Sequence, residues 1–421
     1  RRFAHSRDTH ATGTPMSSHR LLPAALAACL LLALPTRAAA PAAPIQVFID
    51  VDTHRMAGMP DLGALGRFAG ILGGKQDLGY PDARSAGASG LYFDIALHNT
   101  LAPGLPAQQS IPTGLGLGDA LPLLPPTRAV IPDSQGDGPR MDAAEARMLV
   151  YWGCGASIRP GQPRVIQVRM RNGMPEASGT IEARRAPDRD VRPDPSYALW
   201  PNQKARKRAE RGASLQGEHR ITGQGVPESL KFTLGPQADF MPDIALQQQG
   251  APADGIVLSW QPVARAGAYF INVMAKQGND MVLWSSAEVP DIGSGLMDFL
   301  PGGSLERWVK EKVLLGPDTT RCQIPKGILK DGDETGAGLL SMIAYGPETN
   351  LVWPPRPADP KQPWTPEWNV RVRTKSTASA MLGMDLSGAG QDPQLPASDP
   401  NQPAEKESTG KKLLRGLLKG L

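Results

Sequence analysis

Along the first half of this chain, apolar and polar residues alternate with a period of two. In residues 45–54, Ile45, Val47, Ile49 and Val51 fall on one face, and Gln46, Asp50, Asp52 and His54 share the other with Phe48. That pattern predicts a half-buried strand. Leu91, Phe93, Ile95 and Leu97 repeat it, with Tyr92, Asp94 and His98 opposite. Further strands are predicted at 147–153, 164–170 and 229–235, separated by connections rich in glycine and proline. Such spacing favours an antiparallel sheet or sandwich over alternating strands and helices. Residues 44–245 are therefore expected to form an N-terminal all-β domain. Within it, residues 101–140 carry eight prolines and residues 175–215 are polar, and both stretches are expected to be irregular.

In the second half, Ile256-Val257-Leu258-Ser259-Trp260-Gln261-Pro262 is followed by Ala266 and then Tyr269-Phe270-Ile271-Asn272-Val273. This resembles the second and third strands of a fibronectin type III domain, over about residues 250–376. The resemblance implies a seven-strand sandwich with Trp260 in its core. Its other strands are expected near 239–246 and at 281–286, 320–325, 339–345 and 368–374. Leu340 departs from the family, standing roughly where that fold usually has its corner tyrosine. A helical insertion is predicted between the fourth and fifth strands: Ser304 as its cap, Leu305, Trp308, Val309 and Val313 on one apolar face, and Gly316-Pro317 as its end. The expected fold class is thus all-β, with two β-sandwich-like domains.

Composition sharpens the picture at the N-terminus. A short polar region after Met16 leads into an apolar run, Leu21 to Leu34, and then into small residues from Ala38 to Ala43. This is the pattern of a secretory signal peptide, with residues 1–15 as upstream leader and cleavage after Ala38 or Ala42. Leu26-Ala27-Ala28-Cys29 also resembles a lipoprotein signal, but the leucines after Cys29 favour simple cleavage. The expected address is exported, in the periplasm or cell envelope. The net charge of +4 arises within residues 1–40, so nothing in the balance points to a nucleic-acid partner. Beyond the signal only Cys154 and Cys322 remain. Export permits a bridge, and two separately buried thiols are the favoured expectation.

Candidate chemistry is sparse. Asp50, Asp52 and His54 project from alternate positions of one strand, and Asp94 and His98 from another, so neighbouring strands would gather oxygen and nitrogen ligands. The favoured reading is the polar face of a half-exposed strand. Cys154, between Gly153 and Gly155, reads as a structural cysteine more readily than as a nucleophile. The basic run Lys204, Arg206, Lys207, Arg208 and Arg211 suits an anion, or more simply solvent. Gly114, Gly116 and Gly118 are followed by no phosphate-loop lysine. No catalytic residue, metal site or cofactor is predicted. The expected role is a non-enzymatic, envelope-associated binding or scaffold protein presenting loops to a protein or glycan. The alternative is a metal-dependent or acid/base hydrolase of envelope polymer.

Residues 387–410 read as a disordered linker. In residues 411–421, Leu413, Leu414, Leu417, Leu418 and Leu421 recur at helical spacing, while Lys411, Lys412, Arg415 and Lys419 take the polar side. This pattern predicts a basic amphipathic helix, with contact to an anionic membrane as the expected use and docking on a protein surface as the competing one.

Overall fold

The computed structural model describes residues 43–58, 79–84, 87–129, 145–171, 174–179, 183–187, 191–329, 338–359 and 361–383. Residues 1–40, read above as leader and signal peptide, residues 387–410, read as a linker, and the 411–421 segment lie outside the described residues. Strands dominate the rest. Ten of them form one sheet, in the order β7 (Met174–Ser178), β6 (Arg164–Arg171), β5 (Glu145–Trp152), β14 (Asp280–Ser285), β13 (Ala268–Gln277), β16 (Gly338–Trp353), β17 (Trp368–Leu382), β1 (Ile45–Ala57), β2 (Gly90–Asn99) and β8 (Tyr197–Trp200). A four-stranded sheet follows the order β10 (Lys231–Leu234), β9 (Gly217–Gly223), β3 (Ala107–Ser110), β4 (Ala120–Leu123), and a three-stranded one the order β11 (Gln247–Gln249), β12 (Ile256–Ser259), β15 (Arg321–Ile324).

The chain is all-β, as its alternation predicts, but its two halves share a sheet. Strands β13, β14, β16 and β17 occupy the middle, and strands from the first half flank them on both sides. On one side β5 pairs in parallel with β14, and on the other β1 pairs in parallel with β17. Residues 245–250 are therefore no boundary between separate sheets. Parallel partners far apart in sequence leave no turn signal between them, which is why local pattern reading split them.

Two apolar cores line one face of the large sheet. Alternate residues of β17 serve both: Trp368, Val370 and Val372 pack with β1, β2 and the four-stranded sheet, while Ala378, Ala380 and Leu382 pack with the three-stranded sheet. Trp260 is buried in the second of these cores, edge-on to Tyr269 at 5.5 Å between ring centroids. A bulge in β16 between Tyr345 and Glu348 re-aims this long strand between the two cores. Gly346 sits at the bulge because a Cβ there would lie 2.3 Å from Met241 Sδ and Thr374 Oγ1.

Several local expectations need correction. The stretch 101–140 contains β3 and β4; Pro122 is tolerated because β4 is an edge strand, where no ladder donor is required. The strand expected near 239–246 is β11, farther along, because Asp239 is held in a clamp: its carboxylate accepts from the Leu215 and Phe240 amides at 2.8 and 2.9 Å, and Arg265 Nη1 donates to its carbonyl. The helix α1 (Gly302–Lys310) starts after Pro301, ahead of Ser304. It ends before Gly316 because Lys312 turns left-handed at φ 59°, and the Val313 and Leu314 amides close back on the Trp308 carbonyl. Leu305 and Trp308 pack this helix on Phe270, Ile343 and Tyr345, on the face opposite the three-stranded sheet.

Cys154 and Cys322 form a disulfide, overturning the expectation of separate thiols. The turn after β5 runs beside β15, with the Gly155 amide donating to the Gln323 carbonyl at 2.9 Å, and this brings the two sulfurs together. The bond fastens the three-stranded sheet to the margin of the large one.

Candidate functional site

In-register pairing decides what surrounds the polar face of β1. Asp50 stands between Arg373 of β17 and Asp94 of β2, Asp52 between Lys375 and Tyr92, and His54 between Thr377 and Gly90. Sequence reading expected this face to be half exposed. Instead Asp50, Asp52, His54, Asp94, Arg371, Arg373, Lys375 and Thr377 are all buried. The cover has three parts. The turn Asp82–Arg84 crosses over Asp50 and Asp94, Arg208 lies 4.4 Å from the centroid of the Tyr92 ring, and Phe299 brings its ring to 4.5 Å from the Arg373 guanidinium and 4.6 Å from Lys375 Nζ.

Each carboxylate is used differently. Asp50 accepts two hydrogen bonds from Arg373, at 2.7 and 2.6 Å, and a third from Arg84 at 3.3 Å. Burial alone would raise its pKa, but the charge and bonds of Arg373, helped by Arg84 and Arg371, hold it far below the usual carboxylate range. Asp94 accepts the backbone amides of Asp82 and Ala83, both at 2.8 Å, and so fastens the covering turn. Its burial, beside Asp82 and Asp50, pushes its pKa well above the usual range. Asp298 approaches Lys375 at 3.9 Å. Although burial opposes it, the nearby Lys375, Arg84 and Arg373 lower the Asp298 pKa.

Asp52, Thr377 and His54 form a hydrogen-bonded chain. Thr377 Oγ1 lies 2.8 and 3.0 Å from the Asp52 oxygens and 2.8 Å from His54 Nδ1. With Asp52 ionised, the hydroxyl donates to it and accepts from Nδ1–H; with Asp52 protonated, both bonds reverse, and the chain remains satisfied. Burial raises the Asp52 pKa to about 6, against the pull of Lys375 and Thr377. Burial lowers the His54 pKa to about 4, in the same direction as Lys375 and Arg208.

These shifts act on stability with opposite signs. Folded Asp52 keeps a proton that the unfolded chain releases near pH 4, so its contribution is lost as pH rises towards 6. Folded His54 refuses a proton that the unfolded chain takes up below 6.5, so its contribution is lost as pH falls towards 4. Each is worth about 3 kcal/mol across its window. Between pH 4 and 7, Asp52→Asn should therefore gain about 3 kcal/mol relative to the wild type, and His54→Gln should lose about as much. Urea unfolding at a series of pH values reads both, and parallel pH profiles for the two variants and the wild type would refute the assignment.

The structure thus joins Asp50, Asp52, His54 and Asp94 but leaves out His98, which is half-exposed and stacked on Tyr197 at 4.5 Å. Among the described residues, no group of three His, Cys, Asp or Glu is placed to hold a metal ion. Of the basic run, Lys207 donates to the Gly116 carbonyl at 3.1 Å, and Arg208 belongs to the cover over Tyr92. Arg373, Lys375 and Thr377 were missed by sequence reading. Their signal was present, since the cations Arg371, Arg373 and Lys375 alternate with Val370, Val372 and Thr374 as the acids of β1 alternate with its apolar residues. A cavity of about 390 Å³ lies elsewhere, lined by Ala57, Gly58, Leu246, Gln247, Gln248 and Ala380, none of which titrates. Set against known protein families, curated proteins and solved structures, the chain matches none.

Proposed function

We propose that this chain is an exported, envelope-associated binding or scaffold protein whose fibronectin type III-like half presents loops to a protein or glycan. The observation that carries this reading is the use made of the polar residues of β1 and β2. Asp50 neutralises arginines, Asp94 anchors a turn, and all four joined residues lie beneath a cover, so they hold the sheet together instead of facing a substrate. The Cys154–Cys322 bond supports export, because such bonds persist in oxidising compartments. The fibronectin-like reading draws support from β11, β12 and β15 packing on β13, β14, β16 and β17 around Trp260, which makes seven strands in two layers.

One observation favours the second reading, a hydrolase of envelope polymer: the Asp52–Thr377–His54 chain couples a carboxyl group and an imidazole whose pKa values are moved from their ordinary ranges. The two readings separate when purified protein is incubated with isolated cell-wall polymer. Sedimentation with the polymer and no release of soluble fragments is expected. Fragment release abolished in both Asp52→Asn and His54→Gln, or stoichiometric bound zinc or manganese by elemental analysis, would make the hydrolase the better reading.

A further inference from the structure

An apolar stripe rich in methionine crosses the large sheet on the face opposite the three-stranded sheet. Val150, Leu283, Met274, Leu339 and Met381 stand in register on five adjacent strands, β5, β14, β13, β16 and β17. At about 4.8 Å between strands, the row is about 19 Å long. Met148 and Met281 pair beside it, and Ile166 and Ile292 belong to the same cluster. Helix α1 covers Phe270, Ile343 and Tyr345 farther along this face. The next row, Ser285, Asn272, Ser341 and Ser379, separates that covered region from the stripe. Met148, Met274, Met281 and Met381 are half-buried, and Leu339 is 40% exposed. Val150 and Leu283 are buried, so the accessible part of the row is Met274, Leu339 and Met381 on three adjacent strands. Apolar side chains left partly open at neighbouring positions mark a contact, and methionine adapts to the shape of what it meets.

We propose that residues 411–421 of this same chain dock their leucine stripe on this face. Two observations select that occupant. First, β17 ends at Leu382, one residue beyond Met381, so the chain continues from the stripe itself. The 27 residues from 384 to 410 could reach about 90 Å at full extension, so the segment that follows them is within reach of the stripe. Second, Leu413, Leu414, Leu417, Leu418 and Leu421 supply an apolar face of helical period, which eleven residues with two glycines hold only against a surface. The stripe changes the balance between the two expectations for this segment, because it provides an apolar partner within reach.

Amide hydrogen exchange on the full-length protein, with a synthetic 408–421 peptide as reference, tests the proposal. Amides of 411–421 should exchange at least tenfold more slowly in the protein than in the peptide, without any vesicle. Truncation after residue 410 should speed peroxide oxidation of Met274 and Met381 several-fold. Leu339→Glu, at an exposed position where the core is undisturbed, should return the exchange of 411–421 to the peptide rate. Exchange at the peptide rate in the wild type, slowed only by phosphatidylglycerol vesicles, would make the segment a membrane contact and overturn the proposal. Protection that survives both Leu339→Glu and Met381→Glu would overturn it too, as would protection that vanishes on dilution, which indicates a second copy.

Discussion

Removing the Cys154–Cys322 bond should cost about 4–5 kcal/mol of stability, the largest effect expected of any single covalent change here. The cysteines are separated by 168 residues, so the bond closes a long loop and removes much conformational freedom from the unfolded chain. In the folded chain it also holds the three-stranded sheet beside the end of β5, adding to the Gly155 amide to Gln323 carbonyl bond and to the core that Tyr151 shares with Leu258 and Ile324. Urea unfolding of Cys154→Ala/Cys322→Ala against the oxidised wild type measures the difference, and wild type in reductant should behave like the variant. Thiol labelling of denatured, unreduced protein should modify neither cysteine; modification of both would show that the bond does not form.

Asp50→Ala should cost about 3–5 kcal/mol, because it strips the carboxylate from buried Arg373, Arg84 and Arg371 without removing their charge. The double variant Asp50→Ala/Arg373→Met should recover part of that loss, since the most closely paired cation goes with its partner. Chemical unfolding at pH 7 gives all three values. If the double variant is as unstable as the sum of the two single ones, the pair does not act as a unit. The low pKa of Asp50 fixes the pH direction. Its stabilising contribution is present above the ordinary carboxylate range and is lost only as pH falls below it through the folded value, so the difference between Asp50→Ala and wild type should shrink in strong acid and not in base.

How far the fold was legible follows from the range of each interaction. Strand β1 was readable to within a few residues because alternation is a property of adjacent positions: Ile45, Val47, Ile49 and Val51 need a core wherever the strand lies. The same holds for β2, β12, β13 and the apolar face of α1. The start of α1 was misplaced because Ser304 looks like a cap in isolation, whereas Pro301 already sets the first turn. Strands β3 and β4 were missed because proline discourages a strand reading, and only the sheet order shows that Pro122 lies at an edge.

The candidate site divides along the same line. The sequence by itself determined that Asp50, Asp52 and His54 share a face, that Asp94 shares one with His98, and that the chain builds sheets. It did not determine that β17 would lie parallel to β1 and set Arg373, Lys375 and Thr377 opposite those three residues. Over 300 residues of chain separate the partners, and no local pattern encodes which strand a polar face will meet. Tertiary structure alone therefore decided that the polar face would be interior. An exposed carboxylate needs only water, while a buried one needs a cation or an amide within hydrogen-bond reach, and the cation Asp50 meets comes from the other end of the chain.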